Sequence, residues 1–404
     1  MKKISFIIGL FLLTRILFII FMPHVFSCDV AGWMKVISVL KNGGNPYKET
    51  TMLNWAPFWM QVLFLISHIA DWIKISFITI LQITLIIMEG IVLIIVYFLS
   101  KNICPYRDAT KVLIYGAVLN PISILLTCQH CNFDIFVAFW VLLFVWMLIE
   151  FHKSDAIENW LMACFFLGMG ILTKTVPLML TPLLFAGIKN YKISTILFGF
   201  ILLFAPVLIG TSVLFALAPH AYLQNVFLYR SYAGWFGFTG ILTILNLDSL
   251  NNIYRNISPF LFLGMLIYFS WYCYNTIMLN TYKIISIVIM LLLFIPLFGP
   301  GYASQYINWF MPFILILFII ASKPMKSILK VGYVIAICTY ITEYGFFISH
   351  GAFINTLIPS EQLLSFCTFM TTQRMEFIIR IPIFLFYIFL FVSLIKELNT
   401  KVES

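Results

Sequence analysis

A dozen long apolar runs, joined mostly by short basic segments, constrain this chain more than any other feature. They fall at about 4–22, 75–99, 112–128, 133–151, 160–173, 176–188, 193–217, 258–278, 284–298, 307–321, 331–348 and 377–395. Lipid offers no partner to an exposed backbone N–H or C=O, so a run of ~20 apolar residues must cross as a helix. A membrane β-barrel would instead alternate over segments of about ten residues, and these runs are continuous. Of the 404 residues, 62% are hydrophobic and 10% charged, against roughly 45–50% and about 25% in soluble domains. An ordinary soluble enzyme is excluded. The expected fold is an all-α polytopic membrane protein, one domain over 1–404, with about 12 transmembrane helices and a range of about 10–13. The shorter apolar stretch Phe58 to Trp72 carries His68 and Asp71 and reads as an interfacial helix.

Lysine and arginine set the orientation. With Lys2 and Lys3 cytoplasmic, the inner loops hold Lys101, Arg107, Lys111, Lys153, Lys189, Lys192, Lys283, Lys323, Lys326, Lys330, Lys396 and Lys401, as the positive-inside rule requires. The net charge of +9 is thereby assigned to membrane orientation, with no nucleic-acid partner. The long loops 23–74, 218–257 and 349–376 fall outside, so the elaborate face is extracytoplasmic. The first run could also be a cleaved signal peptide, but Arg15 interrupts it, and an intramembrane Arg is costly unless paired or facing a polar cavity. Arg15 therefore suggests that the first helix lines a site.

Polar residues gather on the outer side. Asp29 follows the first run closely enough to be partly desolvated, which raises a carboxyl pKa and improves a base; a helix cap is the alternative. Asn54-Trp55-Ala56-Pro57 follows in the same loop. Asn120-Pro121 leads to Gln129-His130-Cys131-Asn132-Phe133-Asp134, where Asp134 opens the returning helix and suits its dipole. Lys174, between two apolar runs, either snorkels or holds a lipid phosphate. Arg230, in Arg230-Ser231-Tyr232-Ala233-Gly234-Trp235, suits a phosphate, and its aromatic neighbours suit a sugar. Tyr302 and Gln305 lie in the turn Gly299-Pro300-Gly301-Tyr302-Ala303-Ser304-Gln305-Tyr306. Cys128 and Cys131 form a C-x-x-C with no second ligand pair for zinc, which leaves a redox pair or a plain span end. No Gly-rich phosphate loop, G-x-S-x-G or H-E-x-x-H is present.

These motifs, in this order, resemble the GT-C superfamily of integral-membrane glycosyltransferases that use polyprenyl-phosphate sugars, and within it the PIG-M-like mannosyltransferase branch and its prokaryotic relatives. The matching stretches are an acid after the first span, Gly44-Asn45-Pro46-Tyr47 with Asn54-Trp55-Ala56-Pro57, Asn120-Pro121 with Asn132-Phe133-Asp134, Lys174 with Pro177, and Pro300-Gly301-Tyr302 with Gln305-Tyr306. The resemblance runs through most of the chain and is strongest over 1–190. It implies inverting transfer of a hexose, mannose-like, from a polyprenyl-phosphate sugar donor to a glycan or glycolipid acceptor. Asp29 matches the family's essential acid. The branch carries D-x-D, and Asp29 aligns with its second acid while Ser27 stands at the first, so neither a divalent cation nor mannose as donor sugar is assigned.

Such a donor already carries a good leaving group, so the reaction chiefly needs a base and cations for the departing phosphate. Asp29 is the expected catalytic base and Arg230 and Lys174 the phosphate contacts. Asn54, Trp55, His130, Asn132, Asp134, Tyr302 and Gln305 are the expected remaining substrate contacts. Nucleotide-sugar donors would require a cytoplasmic site, for which the inner loops are too short. The expected setting is a bacterial or archaeal plasma membrane, with the N-terminus cytoplasmic and the bilayer as partner. A transporter or flippase of lipid-linked sugars would also suit Arg15, Glu89 and Glu343 within apolar runs, although no half of the chain repeats in the other. An O-antigen ligase or polymerase-like enzyme is a further alternative.

Overall fold

The computed structural model describes residues 2–21, 28–50, 53–106, 109–229, 234–276, 279–301, 303–348 and 360–400. The regular elements among them are helices, with no strand. The long ones are α1 (Lys2–Phe21), α2 (Cys28–Lys41), α3 (Pro57–Ile73), α4 (Phe77–Ile103), the bent pair α5 (Thr110–Val118) and α6 (Pro121–Gln129), α7 (Asp134–Ser154), α8 (Ile157–Thr173), α9 (Ile193–Leu217), α10 (Asp248–Asn275), α11 (Thr281–Phe298), α12 (Ile307–Ile320), α13 (Lys323–Tyr340) and α14 (Gln373–Thr400). Among the described residues, eight helices are long and apolar enough to cross a membrane, and the bent pair α5–α6 makes a ninth. The chain is thus an all-α, multi-pass membrane protein.

The other three expected runs are also helical but shorter: α8, a 3-10 helix at Val176–Phe185, and α12 with its preceding turn. Pro177 and Pro182 account for the 3-10 segment, because each removes a backbone donor and crowds the preceding turn. Ten residues at about 2.0 Å each also fall short of a bilayer core of about 30 Å. Amphipathic helices occupy much of what reads as loop. Within 23–74 the described residues form α2, a short Pro46–Glu49 turn of helix and α3, and within 218–257 they form the helical turns Pro219–Tyr222 and Leu223–Phe227, Gly237–Ile244 and the start of α10. The α3 helix buries Trp59, Met60, Leu63, Ile66 and Ala70 along one face, while Asp71 on the other pairs with Lys41 of α2 at 2.5 Å.

Of the eight spanning helices, α4, α7 and α11 are the most buried and form the centre. Helix α7 packs along α8 and α8 along α9, while α12 packs against α4, α7 and α11. Glycine permits the α8–α9 approach: a Cβ on Gly168 would meet the Leu203 carbonyl oxygen at 2.2 Å.

The break in α5–α6 has a specific cause and remedy. Pro121 begins α6, and the Asn120 side chain accepts from Ile122 N at 3.0 Å, so the helix restarts with a 48° bend. Pro121 has no N–H to give the Ala117 carbonyl, which keeps only weak turn bonds such as that from Asn120 N at 3.4 Å, and Ile122 N turns to the Asn120 side chain instead of the Val118 carbonyl. Arg15 of α1, fully buried, donates to both carbonyls, and it also pairs with Glu89 of α4 through Nη2–Oε1 at 2.5 Å and Nε–Oε2 at 3.2 Å. Ser123 donates to the same Glu89 carboxylate. The sequence-based reading that Arg15 marks a site-lining helix is corrected here: its guanidinium is consumed in closing the bend. Removing one partner of a buried pair strands the other charge, a loss of about 3–5 kcal/mol. Arg15→Leu is therefore expected to lower the thermal unfolding midpoint in detergent sharply, and adding Glu89→Leu should recover part of the loss. An Arg15→Leu protein as stable as the parent would contradict this role.

Candidate active site

Four chain segments far apart in sequence converge at one end of the bundle. Asp29 sits in the first turn of α2, where the positive end of the helix dipole favours an anion. His130 ends α6, Gln305 lies in the 3-10 turn Ser304–Tyr306 that leads into α12, and Tyr344 belongs to the π-helical continuation of α13, Ile341–Ile348. His130 Nε2 donates to Asp29 Oδ2 at 3.1 Å, and Gln305 Nε2 reaches the same oxygen at 3.4 Å. Tyr344 donates its hydroxyl to Gln305 Oε1 at 3.1 Å and stacks its ring on His130, centroids 4.8 Å apart. Tyr340 stacks on the other side of Tyr344 at 4.9 Å. One tyrosine thus braces both groups that hold Asp29.

The Asp29 side chain keeps 32% of its surface exposed while His130 keeps 7%. A capping carboxylate would bond the amides of its own helix, whereas Asp29 bonds side chains 101 and 276 residues away. Burial alone would raise its pKa, but the hydrogen bond and charge of His130, the charge of Lys174 and the Gln305 bond outweigh it and leave the carboxyl below its ordinary value. This corrects the expectation of a raised pKa, because the neighbours that favour the carboxylate lie far off in sequence.

Beside Asp29 stands a second acid in an opposite environment. Asp134, fully buried at the start of α7, receives Lys174 Nζ on Oδ1 at 2.8 Å. Its Oδ2 meets no partner among the described residues. Lys174 leaves α8 in an extended conformation and carries its ammonium over the rings of Phe133, Tyr306 and Trp309 at 5.1, 4.9 and 4.9 Å. Such cation–π contacts strengthen when desolvated. Asn132 plays a local part: its side-chain oxygen accepts from Asp134 N at 2.8 Å and fixes the turn.

The first-loop motif supports this floor. Trp55 packs edge-on against Trp33 and lies 5.7 Å from Phe133, while Trp59 stacks on Phe133 at 5.0 Å. Tyr47 donates its hydroxyl to the Trp55 carbonyl at 2.8 Å, and Asn45 caps the short helix by accepting from Tyr47 N at 3.0 Å. Asn54 is half-buried next to Trp55. Arg230 and Tyr302, expected at the site, and Ser27 lie outside the described residues.

Sequence reasoning did not find Tyr344, nor Arg380 of α14. Arg380 grips Glu343 through two nitrogens, reaches Glu376 at 3.0 Å and donates to the Trp235 carbonyl at 2.9 Å; Ser304 donates to Glu343 from the other side. The available signal was Tyr340 and Tyr344, one helical turn apart, flanking an intramembrane Glu. Cys128 and Cys131 are buried and unbridged, and burial pushes the Cys131 thiol up to about 12, which suits a span end better than a redox pair. Among the described residues no three His, Cys, Asp or Glu side chains gather as a metal would require. No family model matches the chain, and no curated protein matches it.

A carboxyl held below its ordinary pKa adds stability that is present above the unfolded value and lost as pH falls through the folded one. For Asp29 the loss belongs below about pH 4. His130→Phe keeps a ring against Tyr344 but removes the bond and charge that lower the Asp29 pKa most, leaving burial opposed only by Lys174 and Gln305. The pH at which Asp29 becomes half-protonated, followed by pH-dependent carbodiimide labelling and peptide mass spectrometry, should rise in this variant. An unchanged midpoint would mean that His130 does not set the state of Asp29.

Proposed function

We propose that the chain is a membrane glycosyltransferase that moves a hexose from a polyprenyl-phosphate sugar to a glycan or glycolipid hydroxyl, with Asp29 as the base. The observation that carries this reading is an ionised, partly open carboxylate, braced by His130, Gln305 and Tyr344, beside a caged ammonium at one end of an apolar bundle. A water-insoluble donor would enter such a site from the bilayer. With His130 and Gln305 both on Oδ2, Oδ1 is the oxygen an acceptor hydroxyl would meet. The acceptor oxygen attacks the anomeric carbon, the bond from that carbon to the phosphate oxygen breaks, and the hydroxyl proton passes to Asp29. The electron pair of the broken bond leaves on the polyprenyl phosphate.

A base held well ionised is always in its active form at neutral pH, and its partner His130 keeps it oriented through the proton transfer. Lys174, fixed by Asp134 and three rings, supplies positive potential where the phosphate departs, and Arg230 is the second proposed phosphate contact. Trp55, behind the Phe133 ring, and Asn54 would line the sugar side. The site is assigned to the extracytoplasmic face, with α3 lying in the interface beside it, in a bacterial or archaeal plasma membrane. The pairing of Arg15 with Glu89 and of Glu343 with Arg380 favours an enzyme over a transporter, because charges locked in helix-to-helix bridges are not free to line a moving polar pathway.

The decisive measurement uses purified protein with a panel of polyprenyl-phosphate sugars, following release of polyprenyl phosphate. Asp29→Asn is nearly isosteric and should still fold, losing only the modest stability that the lowered carboxyl pKa contributes, while turnover falls roughly 10²- to 10⁴-fold. Lys174→Gln should weaken turnover by roughly 10²-fold through lost charge stabilisation. A folded Asp29→Asn protein with parental turnover would sink the mechanism, and a parent inactive on every lipid-linked sugar would count against the reaction itself.

A further inference from the structure

A second apolar recess lies between the α5, α12 and α13 helices, at the end of the bundle away from Asp29. Its walls include Tyr115, Gly116, Leu315, Phe318 and Tyr333, and two lysines, Lys111 and Lys330, are among its lining residues. From Lys330 to Tyr344 the chain advances 14 helical positions, about 21 Å at 1.5 Å per residue, so the lysine end of the recess is separated from Asp29 by most of a hydrocarbon core. Gly116 lets the Leu315 side chain pack directly on the α5 backbone at one wall, since a Cβ there would meet it at 2.3 Å. The Tyr333 hydroxyl donates to the Tyr115 carbonyl and ties the two walls together.

Its surroundings are apolar and outward-facing: Tyr115, Val331 and Val334 are 65%, 59% and 59% exposed. Among the described residues the charge is one-sided: Lys111 and Lys330 are both exposed, no acid lines the recess, and Lys326 holds its ammonium over the Phe318 ring at 6.0 Å. A shallow apolar slot with cations at one end is complementary to an amphiphile whose acyl chain lies along the slot and whose anionic head meets the lysines. A soluble anion would use the lysines and leave the slot open. A neutral lipid would fill the slot and leave the lysines without a counter-charge.

We infer that this recess binds an anionic phospholipid of the leaflet at that end, with Lys111 and Lys330 holding the headgroup phosphate. The site does not depend on the glycosyltransferase reading. Each lysine near a membrane surface contributes about fivefold in affinity for an anionic lipid, so the pair contributes roughly 25- to 30-fold.

Native mass spectrometry of the full chain in detergent, titrated with phosphatidylglycerol or with phosphatidylcholine of identical chains, tests this directly. The parent should retain phosphatidylglycerol preferentially. Lys111→Gln with Lys330→Gln should erase that preference, roughly 25- to 30-fold, at an unchanged melting temperature. The control pair Lys189→Gln with Lys192→Gln should keep it, and glycerol 3-phosphate, which has the head without the chains, should not compete. Equal retention of both lipids by the parent, an equal loss in the control pair, or competition by glycerol 3-phosphate would each overturn the assignment.

Discussion

The bridge between Arg15 and Glu89 is the interaction on which the geometry at the Asp29 end depends. A proline-induced break in a membrane helix frees carbonyls that lipid cannot satisfy, each costing several kcal/mol. Arg15 takes those of Ala117 and Val118 and is itself neutralised by Glu89. That arrangement allows the chain to bend at Asn120-Pro121 and still remain in an apolar setting. The bend aims α6, so it fixes where His130 emerges, and His130 is the principal partner of Asp29. A residue that contacts neither Asp29 nor Lys174 thus sets the position of the group that orients the candidate base.

A second buried cluster performs the equivalent task for the other half of the chain. Arg380 is held by Glu343 and Glu376 and reaches the Trp235 carbonyl, while Ser304 bonds Glu343. Glu343 precedes Tyr344, and Ser304 precedes Gln305. Locking the first member of each couple therefore holds the second, so Tyr344 and Gln305 meet Asp29 from a rigid side. Buried ion pairs are weak evidence for stability as such, and here their value lies in register: each ties together helices that packing of Leu, Ile and Phe alone would leave free to slide.

Much of this was legible in the sequence, for identifiable reasons. Apolar periodicity and length reveal helices in a membrane, and all twelve expected runs are helical. Asp29, His130, Asp134, Lys174 and Gln305 stood out because polar residues beside apolar runs are expensive unless they have a task or a partner. What was hidden depends on distance along the chain. Nothing local to Tyr344 announces a contact with His130, more than two hundred positions away, and nothing local to Asp29 reveals the neighbours that reverse the effect of burial on its pKa. The α3 helix is legible as an interfacial helix, whereas α2 reads as loop because its apolar stretch is short and interrupted. The 3-10 stretch Val176–Phe185 was read as a span because hydropathy does not register what Pro177 and Pro182 do to a backbone.

The two acids at the Asp29 end show why residue type alone does not assign a role. Asp29 and Asp134 both open helices, and both lie near Lys174. Asp134 is sealed and spends one oxygen on the lysine, whereas Asp29 remains a third exposed and is bonded through neutral or histidine donors. A base must meet a substrate hydroxyl within hydrogen-bond reach, which a fully buried carboxylate does not do. Asp134 is instead suited to holding Lys174 in place, because it supplies the counter-charge to an ammonium set among three aromatic rings. Two identical side chains are thus set apart by burial and by their partners, the kind of environmental difference that can give two carboxyls different roles.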